Sequence, residues 1–133
     1  MAKRNLEFAV GEYYHIYQRG VNKEKIFIDK RDQLRFLLNL FVTNSLETIH
    51  LSDYWSETEN IEDVFRLSIK EKRVSIGAYC FMPNHVHLLV KEEKENGITG
   101  FMQKLATGYS MYFNKKYART GSVFEKPFKA KHI

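Results

Sequence analysis

Residues 74–81, Val-Ser-Ile-Gly-Ala-Tyr-Cys-Phe, then a Met82-Pro83-Asn84 break, then His85-Val86-His87-Leu88-Leu89-Val90-Lys91, constrain the fold more than any other feature of this chain. Two stretches rich in strand formers, joined by so short a connection, read as a hairpin arm of a sheet. Successive side chains of a strand alternate faces. Val86, Leu88 and Val90 therefore point into a core while His85 and His87 stand side by side on the opposite face. Two neighbouring imidazoles are a ready pair of metal ligands, and the same pattern also suits an ordinary polar strand face.

The periodicity around the hairpin completes a small α/β unit. Tyr13-Tyr14-His15-Ile16-Tyr17-Gln18 is a first strand that stops at the turn-like Arg19-Gly20-Val21-Asn22. Asp29 can cap a helix starting near Lys30, whose Leu34, Leu37, Leu38, Phe41 and Val42 recur at helical spacing. From Ile98, the positions Phe101, Met102, Leu105, Tyr109, Tyr112 and Phe113 mark a second amphipathic helix ending near Tyr117. Residues 122–128 predict a last short strand at a sheet edge, where Pro127 is tolerated. Residues 46–72, with Trp55, a polar 56–60 and a short helix over 61–70, read as an elaborated crossover of no assigned function. The order strand, helix, strand, strand, helix, strand predicts an α+β, ferredoxin-like split βαβ sandwich: one domain over residues 1–133, an antiparallel sheet with two helices on one face.

Composition narrows the function classes. At 133 residues with 44% hydrophobic and 14% aromatic content, the chain can bury a core and is not of the disordered type. Cys80 is the single cysteine, which excludes an internal disulfide framework and a cysteine-built zinc site. Its place in the 74–81 run predicts a buried thiol. No stretch approaches the roughly 20 apolar residues of a membrane span, and residues 1–7 lack the apolar core of a signal peptide. The expectation is a soluble cytoplasmic protein with no membrane partner.

The net charge of +5 is uneven. Beyond position 103 the bases are Lys104, Lys115, Lys116, Arg119, Lys126, Lys129 and Lys131, and the one acid is Glu125. Tyr109, Tyr112, Phe113, Tyr117, Phe124 and Phe128 lie among them. A basic surface with interleaved aromatics suits phosphates and unstacked bases; a solvated helix face above an aromatic core has the same composition.

An ordered set of motifs now stands out: Tyr14-His15-Ile16 through Arg19-Gly20-Val21-Asn22, Ile26-Phe27, Phe81-Met82-Pro83-Asn84-His85-Val86-His87-Leu88-Leu89, Phe101-Met102-Gln103-Lys104-Leu105, Tyr112-Phe113-Asn114-Lys115-Lys116-Tyr117, and Gly121 before Phe124. Together they resemble the single-tyrosine HUH transposases of small insertion sequences and their REP-associated relatives, over most of the chain outside 46–72. The resemblance implies a ferredoxin-like domain that binds single-stranded or hairpin DNA, and a homodimer as a form open to it. It implies Mg²⁺ or Mn²⁺ held by His85 and His87 with a third polar side chain, polarising the scissile phosphate. A tyrosine hydroxyl attacks phosphorus, leaving a 5′-phosphotyrosine link and a 3′-OH, and another 3′-OH rejoins the strand.

In that family the nucleophile lies on a helix after the last strand, and residues 129–133 fall about where such a helix would begin. The nucleophile and third ligand are therefore expected outside residues 1–133. Among the tyrosines present, Tyr109 and Tyr112 fall on the apolar stripe, Tyr13 and Tyr17 share a strand face with His15, and Tyr117, off the stripe, is the remaining candidate. His15 is read as packing or as support for the histidine pair. Arg19, Lys104, Lys115, Lys116, Arg119 and Lys129 are the DNA-contact candidates. The alternative function is a non-catalytic binder of single-stranded or hairpin DNA, and a weaker third is a metal-dependent nuclease that uses water.

Overall fold

A computed structural model describes residues 6–47 and 71–133 of the chain. Its elements are β1 (Tyr13–Arg19), α1 (Lys30–Val42), β2 (Val74–Met82), β3 (His85–Glu92), α2 (Gly97–Lys116) and β4 (Lys129–His132). The strands pair antiparallel in the order β2-β3-β1-β4. This is the split βαβ sandwich expected from the sequence. The short helix expected over 61–70 lies outside the described residues. The described ends of the 46–72 segment meet: the Leu46 N–H donates to the Glu71 carbonyl at 3.1 Å, and the Asn44 side chain bonds both backbone groups of Val74.

Alternation decides which face of the sheet is covered. Tyr14, Ile16, Val86, Leu88 and Val90 are buried under the helices with Phe36, Phe101, Leu105 and Tyr109. Their neighbours in sequence, including His15, Tyr17, His85 and His87, fall on the uncovered face. Asp29 begins α1 through a capping box: its Oδ1 accepts from the Asp32 N–H at 3.0 Å, and Asp32 Oδ2 accepts from the Asp29 N–H at 3.3 Å. The helices lock through aromatics, with Phe36 edge-on to Tyr109 at 5.1 Å. The Tyr109 hydroxyl donates to the Ile26 carbonyl, and burial raises its pKa, so it stays a donor.

Two expectations fail. Cys80 is exposed. Ile76 pairs with Val90 but Ala78 pairs with Leu89, so Gly77 is an extra residue that reverses the face of everything after it. Tyr79 and Phe81 consequently turn toward the helices, and Cys80 comes to lie opposite His87 on the open face.

The last strand begins at Lys129, not within 122–128. That earlier stretch runs beside β1 through separate contacts: a Gly20–Phe124 bridge, the Glu125 N–H on the Arg19 carbonyl at 2.9 Å, and Gln18 Nε2 on the Glu125 carbonyl at 2.9 Å. Pro127 has no N–H to give, so a regular ladder forms only after it.

Candidate metal and nucleic-acid site

The turn that carries the histidines is held from three directions. The Gly20 N–H donates to the Asn84 carbonyl at 2.8 Å, and the Ile26 and Phe27 N–H groups converge on the Pro83 carbonyl at 2.8 and 3.1 Å. The close approach at Gly20 admits no side chain, because a Cβ there would sit 2.2 Å from the Glu24 carbonyl oxygen. The Arg19-Gly20 and Ile26-Phe27 motifs thus brace the Pro83-Asn84 turn, and β3 leaves it with a fixed register against β1.

On the open face, the rings of His85 and His87 have centroids 4.9 Å apart. His85 Nδ1 lies 2.7 Å from Asn84 Oδ1, and His87 Nδ1 lies 2.9 Å from His15 Nε2. Burial, then the neighbouring His85 and His15, lower the His87 pKa below the ordinary imidazole value, which favours the neutral, ligating form. Both histidines line a cleft of about 320 Å³ with Tyr17, Gln18, Arg19, Glu125, Pro127 and Lys129.

This donor set suits a divalent ion: each imidazole has its Nδ1 in a hydrogen bond, so Nε2 is the nitrogen that would ligate. Among the described residues no group of three His, Cys, Asp or Glu side chains can hold a metal ion, so His85 and His87 would supply only part of a ligand set. A larger groove of about 740 Å³ lies on the helix layer beside Lys104, Arg73 and Thr107. It has no histidine, so ligand chemistry, and not volume, selects the smaller cleft.

The sequence candidates divide between the two layers. Arg19 reaches the cleft but pairs with Glu125 at 3.1 Å. Lys129, opposite Tyr17 on β4, reaches it with an exposed side chain. Lys131 shares that face through its pairing with His15, a placement that the expected strand boundaries hid.

The others lie on the helix layer. Lys116 holds Asp29 and Asp32 at 2.8 Å each, and those carboxylates, with the Tyr117 and Tyr112 hydroxyls, push its pKa up despite the opposing effect of burial. Arg119 donates to Asn114 Oδ1 at 2.6 Å. Lys104 and Lys115 are exposed on α2.

The structure does not bring Tyr117 to the histidines, since its hydroxyl donates to Asp32 at 2.6 Å in the helix layer. Burial and that bond raise its pKa. Tyr17 is the tyrosine lining the cleft among the described residues, its ring centroid 6.0 Å from that of His87. Glu125 went unrecognised in the sequence, since a lone acid in a basic segment gives no sign of its partner.

The fold and site together define an α+β, ferredoxin-like domain that carries a histidine pair on the open face of its sheet. The family model described as IS200-like transposase matches residues 12–132, and the chain belongs to that family. Among solved structures, the chain is similar to a REP-associated tyrosine transposase bound to a REP hairpin, at 11% identity and a TM-score of 0.58, covering 100% of this chain and 62% of that one. It is similar also to a candidate transposase from Deinococcus radiodurans R1, at 13% identity and a TM-score of 0.55, covering 99% of this chain and 86% of that one. At these identities the likeness is one of fold. No curated protein matches the chain. No described helix is long and apolar enough to cross a membrane.

Proposed function

We propose that this chain is the core of a transposase that cleaves and rejoins single-stranded DNA, on hairpin-bearing substrates, at the open face of its sheet. The observation that carries this reading is the placement of His85 and His87, with Nδ1 of each already bonded, in a cleft lined by Lys129 and the Arg19–Glu125 pair. Mg²⁺ or Mn²⁺, when bound by the two imidazoles, would polarise the scissile phosphate and stabilise its developing charge.

The remaining roles belong to the chain's own side chains. Lys129 and Lys131 attract the phosphodiester backbone along β4. Arg19 exchanges its carboxylate partner, Glu125, for a phosphate, both being acceptors that a guanidinium can bind with two N–H groups. Tyr17 offers a ring on which a base can stack.

The strand is broken by attack of a tyrosine hydroxyl on phosphorus, giving a 5′-phosphotyrosine link and a free 3′-OH. A 3′-OH attacking that link rejoins the strand without an external energy source. We propose that the nucleophile and a third ligand lie outside residues 1–133: Tyr14, Tyr109, Tyr112 and Tyr117 are committed to the helix side, and Tyr17, in the cleft, is the alternative that the test addresses.

The test is a labelled hairpin with a single-stranded flank, incubated with Mn²⁺ and protein and run on a denaturing gel. For residues 1–133 the expected result is salt-sensitive binding without an adduct, and for a chain extended to include the nucleophile, a covalent adduct. An adduct from residues 1–133 that disappears in Tyr17→Phe would move the nucleophile into the cleft. Binding alone in both proteins would favour a non-catalytic DNA binder, and cleavage without any adduct would favour a nuclease using water.

A further inference from the structure

We propose that His15 and Asn84 are positioning residues that fix the tautomers of the histidine pair, so that both His85 and His87 present an unprotonated Nε2 to a divalent ion. The inference rests on the metal reading of the preceding subsection and deepens it. A neutral imidazole carries one proton on two nitrogens, and the hydrogen bond made by one nitrogen decides whether the other has a lone pair to offer.

At His85 the choice is fixed by an oxygen. Asn84 Oδ1 can only accept, so the His85 nitrogen 2.7 Å away must carry the proton. The orientation of that amide is set at its other end, where Asn84 Nδ2 donates to the Lys23 carbonyl at 3.4 Å. Reversing the amide would place an N–H against His85 and an oxygen against another oxygen. The Asn84 backbone is itself tethered through its carbonyl to the Gly20 N–H. Proton on Nδ1 leaves His85 Nε2 bare.

At His87 the partner is a nitrogen, and two neutral rings bond only when one donates and the other accepts. The 2.9 Å contact between His87 Nδ1 and His15 Nε2 has two solutions. In one, His15 donates and His87 keeps its proton on Nε2, where an ion cannot bind. In the other, His87 donates, its Nε2 is free, and His15 carries its proton on Nδ1.

An ion on His87 Nε2 selects the second solution, and His15 supplies the acceptor that makes it available without a stranded N–H. The two rings lie 17° from parallel with centroids 5.2 Å apart, so the contact also fixes the ring plane of His87. His15 itself stands outside the cleft lining and its Nε2 faces His87. It acts through its neighbour.

The two positions are an inherited consequence of register. Across the β1–β3 ladder His15 is opposite Leu89, and Tyr17 is opposite His87, so the His15 bond to His87 runs diagonally on the open face. Asn84 is the residue immediately before β3. One support therefore comes from the neighbouring strand and the other from the turn.

The experiment has two arms. In the first, two-bond ¹H–¹⁵N correlation spectra of the metal-free chain, recorded above the imidazole titration range, report the tautomer of each ring. The expected pattern is Nδ1–H at His85 in the metal-free chain and, once diamagnetic Mg²⁺ is added, Nδ1–H at His87 as well. In the second, Mn²⁺ affinity is measured by titration calorimetry for the wild type, His15→Phe, His15→Gln, Asn84→Leu, Asn84→Asp and the double His85→Ala/His87→Ala.

Loss of an outer partner typically weakens metal affinity by about 10- to 100-fold, which is the loss expected for His15→Phe and Asn84→Leu. His15→Gln, with an amide oxygen near the place of Nε2, and Asn84→Asp, which keeps the acceptor, should recover most of it. Binding in the wild type that vanishes in the double variant but is unchanged in His15→Phe and Asn84→Leu would overturn the positioning role and leave the metal site standing. Wild-type binding that survives in the double variant, or no binding at all, would overturn the metal reading and this inference with it. Nε2–H tautomers at both histidines would overturn the inference even if a substituted chain failed to fold.

Discussion

Two polar clusters on opposite layers of the sheet use similar side chains to opposite ends. In the helix layer, Asp32 is fully buried and accepts from Lys116, Tyr112, Tyr117 and the Ile28 N–H, all at 2.6 to 2.9 Å. On the open face, His85 and His87 bond through Nδ1 and line a cleft shared with Lys129. The first cluster is closed, each charge facing its opposite. The second is open, with two imidazoles and an exposed cation beside a cleft. A buried network of the first kind holds helices in register, whereas an incomplete one of the second kind is what a ligand can complete. Basic residues of one sequence segment thus have different tasks, and Lys116 and Lys129 are the clearest pair.

The largest effect should come from the open cluster. In a chain competent for cleavage, His85→Ala/His87→Ala should lower the metal-dependent rate on the order of a thousandfold, since Lewis-acid stabilisation is worth several kcal/mol. Thermal melting should hardly move, because both side chains lie outside the core. If melting falls while the rate persists, the two clusters have been assigned the wrong tasks.

Asp32→Ala is the mirror experiment. Removing one partner of a buried, hydrogen-bonded ion pair should destabilise the fold by about 3 kcal/mol, measured by urea unfolding, the lower end of the usual range because Lys116 can still reach water. DNA affinity of the folded fraction should be unchanged.

Acid should sharpen the same contrast. Burial by itself would raise the Asp32 pKa, but the bonds from Lys116, Tyr117, Ile28 and Tyr112 outweigh it and hold the carboxyl below its ordinary 3.8. A depressed folded-state pKa means that the unfolded chain binds the proton more readily. This contribution is therefore complete above the ordinary carboxylate value and is lost as pH falls through the lower folded value. Unfolding curves of Asp32→Asn should lack that part of the acid dependence.

The smallest effect separates the two lysines. Lys129→Ala should lessen the slope of log affinity for single-stranded DNA against log salt by about 1. Lys116→Ala should leave the slope unchanged and lower stability instead.

Much of this arrangement was legible in the sequence. The alternation in residues 85–91 set the two faces of β3, and the Asp29 cap placed α1, because both signals are local. Cys80 and the final strand were misread for reasons that are not local. A single extra residue at Gly77 reverses every later side chain of β2, and nothing but the glycine hints at it. Pro127 was tolerable at an edge, yet its missing N–H moved the ladder to Lys129, so the basic side chains of β4 emerged beside the histidines. The engagement of Lys116 and Tyr117 by Asp32 joins residues more than 80 positions apart, which no spacing rule could reveal. His15 was placed near the pair only by the β1–β3 register.

The contrast between the layers is tested most directly by adding Mn²⁺ to the ¹⁵N-labelled chain and following paramagnetic broadening. The account predicts that the amide signals of Tyr17, Cys80, His85, His87 and Lys129 broaden first, while those of Asp32, Tyr112 and Lys116 on the far side of the sheet stay sharp. Broadening centred on the Asp32 cluster, or spread evenly over both layers, would contradict it.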